Sequence, residues 1–167
     1  MSAFRIMFVC TGNTCRSPMA AGGLRKLLEK DKIANIEIFS SGTGAASGFP
    51  ATEYASEAAR LWDADLTDHR SQPLTRELIN EADLILVMTP LHAYDVINMV
   101  PDARDKTFLL KNYPESSLKG EGIDDPIGGS LDVYNQSFLE IGEELGRILP
   151  YLIKAAEKKA GVQTDDV

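Results

Sequence analysis

Apolar residues along the chain fall into two alternating kinds of segment. Ile6-Met7-Phe8-Val9 and Leu84-Ile85-Leu86-Val87-Met88 are short unbroken runs, rich in strand formers and apolar on both faces. That is the pattern of parallel strands buried in the middle of a sheet. Ile36-Glu37-Ile38-Phe39 and Phe108-Leu109-Leu110 read as two further strands. Between the runs, apolar positions recur at helical spacing. Helices are predicted from Ser17-Pro18 to Lys30, over Thr52 to Trp62, Leu74 to Glu81, Leu91 to Met99, and Leu131 to Lys159. In the last of these Phe138, Ile141, Leu145, Ile148 and Leu152 form one stripe, and Pro150 predicts a kink or break. Strands alternating with helices predict an α/β fold: a single three-layer domain over 1–159, with a central parallel four-stranded sheet and helices on both faces. Residues 160–167 read as a disordered tail. In such sheets ligands bind beyond the carboxyl ends of the strands.

The first strand runs into Cys10-Thr11-Gly12-Asn13-Thr14-Cys15-Arg16-Ser17-Pro18. Ser17 reads as a helix N-cap and Pro18 as the first helical position. A Cys-x5-Arg segment between a buried strand and a helix start has a physical logic. Backbone N–H groups of the loop and of the helix N-terminus converge on one anion, making a phosphate-binding loop. Gly12 lets the chain approach the ligand, and Asn13 tolerates a left-handed conformation. The planar fork of Arg16 can clamp two phosphate oxygens. The same positive surroundings are expected to hold Cys10 as a thiolate near neutral pH, with Ser17 donating to its sulfur. A thiolate beside a phosphoryl group can form a phospho-cysteine intermediate.

Two other uses of these residues compete. Cys10 can be a small buried hydrophobe at a strand end. Cys10, Cys15, His69 and His92 can form a zinc site, although the two histidines are isolated and make no paired ligand motif. The Walker phosphate-loop pattern is absent.

Composition narrows the field. The chain has 167 residues, 44% apolar and 25% charged, ordinary values for one globular domain. Its net charge of −8 argues against nucleic acid and anionic membrane surfaces as partners. An anionic ligand then needs a small local site built partly from backbone dipoles. The two cysteines lie in one short segment and form no extracellular disulfide framework. No signal peptide and no membrane-length apolar run is visible, so a cytoplasmic location is expected.

The long segment 111–130 is rich in Pro, Gly and Asp, and loops of this length are often functional. Within it Asp124-Asp125-Pro126-Ile127-Gly128-Gly129-Ser130 offers a carboxylic acid that can protonate a leaving group and then act as base toward water. On spacing alone, a solvated turn is the commoner meaning of Asp-Pro with glycines.

Val9-Cys10-Thr11-Gly12-Asn13-Thr14-Cys15-Arg16-Ser17-Pro18-Met19-Ala20 resembles the signature of the low-molecular-weight protein tyrosine phosphatases, and Asp125-Pro126 resembles their general-acid motif. Ser40-Ser41-Gly42, His69-Arg70-Ser71 and Ala82 to Met88 fit similar segments, so the resemblance covers nearly the whole chain. It implies Cys10 as nucleophile, Arg16 as phosphate clamp and Asp125 as acid then base. It implies that main-chain amides of Thr11, Gly12, Asn13, Thr14, Cys15 and Ser17 wrap the phosphate. Asn13 would be pinned by hydrogen bonds from Ser40 and His69. Cys15 would form a reversible protective disulfide with Cys10 under oxidation. It implies phosphorylated proteins as substrates, no cofactor and no metal, and leaves the oligomeric state open.

Thr14, where tyrosine-directed members usually carry Ile, and the Gly128-Gly129-Ser130 run resemble the protein-arginine phosphatase subgroup. Phosphoarginine is therefore the preferred substrate, with phosphotyrosine as the alternative. Ile127 stands where an aromatic is usual and departs from both groups; Ala21 stands where Glu is common. Arsenate reduction on the same fold needs resolving cysteines beyond the loop, and none follows Cys15. A non-catalytic phosphate-binding module would have no need of Asp125.

Overall fold

The computed structural model describes residues 3–161. Four strands form one parallel sheet: β1 (Phe4–Cys10), β2 (Ile36–Gly42), β3 (Leu84–Val87) and β4 (Thr107–Leu109), in the spatial order β2-β1-β3-β4. Five α-helices accompany them: α1 (Arg16–Lys30), α2 (Glu53–Arg60), α3 (Arg76–Glu81), α4 (Pro90–Met99) and α5 (Leu131–Lys159). A 3-10 helix at Pro101–Lys106, which periodicity does not reveal, leads into β4.

The alternation of side chains along β1 builds the two outer layers. Ile6, Phe8 and Cys10 face a core shared with Met19 and Leu24 of α1 and with Phe138, Ile141 and Leu145 of α5. Met7 and Val9 face the opposite core, with Ile79 of α3 and Ala93 and Val96 of α4. β1 is buried along nearly its whole length because both faces are covered. Its last residue, Cys10, pairs in register with Gly42 of β2, so the loops after β1 and β2 emerge side by side. A Cβ on Gly42 would collide with the Thr11 carbonyl and lie 2.8 Å from the Ala45 Cβ. Only glycine lets β2 end so close to the loop after β1.

Several sequence expectations are corrected. Ser17 is not the N-cap of α1: Cys15 takes that position and helical conformation begins at Arg16. α2 and α3 are shorter than expected and are capped by the hydroxyls of Thr52 and Thr75, which accept from Ala55 N and Leu78 N. α5 continues through Pro150 as a single 29-residue helix. Pro150 lies on the exposed face, and so does Gly146, whose carbonyl loses its intrahelical donor. Water can satisfy that carbonyl, while the stripe from Phe138 to Leu152 stays buried on the other side. Residues 162–167 of the expected tail lie outside the described residues, while Ala160 and Gly161 form the turn that ends α5. Among the described residues, no helix is long and apolar enough to cross a membrane.

Candidate active site

The loop between β1 and α1 closes around the Cys10 sulfur. Its geometry depends on Asn13, which is fully buried at φ 56°. A left-handed residue other than glycine needs compensation. The Asn13 side chain supplies it. Its Oδ1 accepts from the backbone N–H of Gln72 at 2.9 Å, a donor only, which fixes the amide orientation. Its Nδ2 then donates to Ser17 Oγ at 2.7 Å and to Ser40 Oγ at 2.9 Å. His69 Nε2 lies 2.6 Å from the Asn13 carbonyl, so that nitrogen carries the proton. Burial lowers the His69 pKa, and Arg25 and Arg70 add to the shift against the Asn13 hydrogen bond. The imidazole is therefore a neutral donor.

Cys10 is buried, with Ser17 Oγ at 2.9 Å and the Asn13 N–H at 3.3 Å from its sulfur. Ser17 accepts from Asn13, which leaves its own proton for the sulfur. Burial pushes the Cys10 thiol pKa up; the Ser17 and Asn13 hydrogen bonds and the Arg16 charge pull it down without overcoming burial. The expectation of a thiolate near neutral pH is thus opposed by desolvation, a cost that the sequence motif does not display.

Arg16 opens α1 and is 4% exposed. Its Nη1 donates to the Ile123 carbonyl at 2.9 Å, and its Nη2 lies 3.4 Å from both Thr11 Oγ1 and Asp125 Oδ2. Its Nε is buried without a partner among the described residues. Ile123 is held in turn by donating to the Met88 carbonyl at 2.8 Å. A Cβ on the preceding Gly122 would sit 2.5 Å from that same oxygen, so glycine lets the loop dock there.

Cys10, Gly12, Thr14, Cys15, Arg16, Asp125 and Ile127 line one small pocket. Asp125 is at its rim, its side chain 41% exposed, with Oδ1 accepting from Ile127 N–H at 3.1 Å. Asp124 is exposed and does not line the pocket. Cys15 is engaged elsewhere: its sulfur lies 3.3 Å from the Tyr134 hydroxyl and 3.6 Å from Thr52 Oγ1. Both cysteines are free. The four residues considered for zinc have separate partners: Cys10 with Ser17, Cys15 with Tyr134, His69 with Asn13, and His92 with Thr11.

Sequence reasoning missed Gln72, Ile123 and Tyr134, which act here through main chain or from 119 positions away. No spacing signal marks such contacts. His92 was considered only as a metal ligand, although Thr89-Pro90 followed by His92 carries the form of a helix cap.

A buried Cys-x5-Arg loop on a parallel sheet, faced by a carboxylate, defines a cysteine-centred phosphate site. Residues 5–161 match the model of the low molecular weight phosphotyrosine protein phosphatase family, and the chain belongs to that family. It is 41% identical over 150 residues to a protein-arginine-phosphatase of Bacillus subtilis, covering 89% of this chain and 97% of that protein. It is 38% identical over 121 residues to a probable low molecular weight protein-tyrosine-phosphatase, EpsP, of Ralstonia solanacearum, covering 72% of this chain and 77% of that protein. A solved structure of the YwlE arginine phosphatase, a variant with a phosphorylated active-site serine, superposes with a TM-score of 0.81 at 38% identity. That match covers 95% of this chain and 99% of the other.

Proposed function

We propose that this protein is a cytoplasmic protein phosphatase that hydrolyses phosphoarginine in preference to phosphotyrosine. The Cys10 thiolate attacks phosphorus while the loop amides and Arg16 hold the three phosphoryl oxygens. The bond from phosphorus to the leaving nitrogen breaks, and Asp125 gives that nitrogen a proton. Asp125 then takes a proton from water as the water attacks the phospho-cysteine, releasing phosphate and regenerating Cys10. Cys15 serves as the partner for a protective disulfide under oxidation. The pair of free cysteines fits a reducing compartment.

The observation that carries the substrate preference is Thr14. Thr14 lines the pocket with Cys10 and Asp125, and among the described residues its hydroxyl's one hydrogen-bond contact is with the Cys15 sulfur at 3.9 Å. That hydroxyl is free to accept from a guanidinium N–H, which a phenol ring does not offer. Ile127, 62% exposed at the rim, provides no aromatic wall for a phenol. The similarity to the Bacillus arginine phosphatase supports the same reading. The tyrosine-directed reading is favoured by the family description and by the Ralstonia relative.

The test is kcat/KM on matched phosphoarginine and phosphotyrosine peptides for the wild type and Thr14→Ile. We expect the wild type to favour phosphoarginine, and the substitution to move the ratio toward phosphotyrosine by roughly 10- to 100-fold. An unchanged ratio would remove Thr14 as the determinant.

A further inference from the structure

Asn13 fastens the phosphate loop to β2 and to the segment around His69 and Gln72. The opposite side of the loop is fastened as well, to α4 in the other layer, through a histidine that the reaction scheme does not use. His92 is 2% exposed. Its Nδ1 lies 3.2 Å from the backbone N of Thr89 and 3.1 Å from Thr89 Oγ1. A backbone N–H only donates, so Nδ1 is the acceptor and the ring proton resides on Nε2. Nε2 lies 2.9 Å from Thr11 Oγ1.

Burial lowers the His92 pKa to about 4, assisted by the Arg16 charge and opposed by Asp125. The ring is thus neutral in this tautomer across the physiological range. Thr11 Oγ1 receives two donors, His92 Nε2–H at 2.9 Å and Arg16 Nη2 at 3.4 Å. A hydroxyl has two acceptor positions, and both are filled. Without His92 the Thr11 side chain loses its tie to α4, and the hydroxyl is free to rotate away from the guanidinium that it accepts from.

We infer that His92 is a positioning residue for the phosphatase reaction, holding the Thr11 hydroxyl as an acceptor that fixes the Arg16 guanidinium. Arg16 is then restrained from two sides, by Ile123 on Nη1 and by Thr11 on Nη2. Its orientation toward the phosphoryl oxygens is set before substrate arrives. This inference rests on the phosphatase reading of the loop.

The experiment compares the wild type with Thr11→Val, His92→Phe, His92→Gln and the Thr11→Val/His92→Phe double variant. It measures kcat and KM on a phosphoarginine peptide and on p-nitrophenyl phosphate, with Tm alongside. Thr11 is exposed, so its substitution reports on the site without a folding penalty. Thr11→Val and His92→Phe are each expected to lower kcat about tenfold on both substrates with little change in KM. The double variant should be no worse than either single one, because the two residues act in series. His92→Gln, whose amide N–H reaches near the Nε2 position, should recover most of kcat. Full activity in Thr11→Val would overturn the inference, as would losses that multiply in the double variant. So would a His92→Gln variant of wild-type Tm that is no better than His92→Phe. A wild-type chain that turns over neither substrate would overturn the phosphatase reading and this inference with it. Normal turnover by Cys10→Ser would isolate the failure to that reading.

Discussion

Residues 10–17 and residues 122–130 meet at one pocket, yet the first segment is mostly buried and cross-braced while the second is held at its two ends, by Ile123 and by the Ser130 cap of α5, and is largely exposed between them. In the first, Asn13, Cys15, Arg16 and Ser17 are all below 5% exposed, and each makes a hydrogen bond to another part of the chain or loop. In the second, Ile123 is buried against Met88, but Asp124, Asp125, Ile127 and Gly128 are exposed. Among the described residues, Asp125's one ion pair or hydrogen bond with the first loop is a 3.4 Å contact with Arg16. The contrast follows from the chemistry proposed. An anion cradle stabilises charge only if its dipoles are already aimed, so rigidity there lowers the barrier. A proton donor must meet the leaving group and then a water in the same place, so its carboxyl needs access and some freedom.

Replacing Cys10 should produce the largest effect. Cys10→Ser removes the nucleophile and keeps the contacts with Ser17 and Asn13 within reach of a hydroxyl. We expect kcat to fall at least roughly 10⁴-fold while phosphate binding, followed by calorimetry, and Tm stay close to wild type. Retained turnover would place the chemistry outside this loop.

The cross-bracing itself is tested by Asn13→Ala. The substitution deletes three side-chain hydrogen bonds and leaves alanine in a left-handed conformation. A loss on the order of 3 kcal/mol in stability is expected, together with a kcat/KM reduced about 100-fold. Denaturant unfolding and steady-state kinetics read the two. A variant that loses activity but no stability would mean that the loop's shape does not depend on these contacts.

On the second loop the balance should reverse. Asp125→Ala is expected to leave Tm unchanged and lower kcat about 100-fold for a poor leaving group, less for p-nitrophenyl phosphate. Asp124→Ala should be close to wild type in both, since Asp124 is exposed and does not line the pocket. The reverse order would reassign the acid.

The same contrast explains what could be read from the chain. The parallel sheet and both helical layers follow from apolar runs and periodicity, which burial on two faces imposes directly, whereas the strand order β2-β1-β3-β4 is seen only in the structure. Cys10, Asn13, Arg16 and Ser17 could be named as candidates because one short segment must supply them in fixed order. Asp125 was not legible from spacing alone, because Asp-Pro with glycines is equally the composition of a solvated turn; only the family resemblance of Asp125-Pro126 singled it out. The structure agrees with that choice in placing Asp125, and not Asp124, at the pocket. Residues whose contribution is a main-chain group, such as the Ile123 carbonyl and the Gln72 N–H, leave no side-chain trace at all. Pro150 misled in the other direction: a proline on the wet face of a long, well-packed helix does not end it.

Among the substitutions expected to lower activity, a small loss belongs to Ser17, and it bears on the one electrostatic expectation that the structure opposes. Burial raises the Cys10 pKa, and the Ser17 hydroxyl is the largest single influence in the opposite direction. Ser17→Ala removes a donor to the sulfur, so the thiolate becomes less favourable and the pKa climbs further. With a pKa displaced upward, less thiolate is present at any pH below it. The rate of Cys10 alkylation by iodoacetamide should therefore have its midpoint at higher pH in Ser17→Ala than in the wild type. At pH 7 kcat/KM should fall roughly tenfold and recover as pH rises, each unit of pKa being a factor of ten in thiolate below the midpoint. A loss that does not recover at high pH would assign Ser17 to the shape of the loop, through its bond to Asn13, rather than to the charge on Cys10.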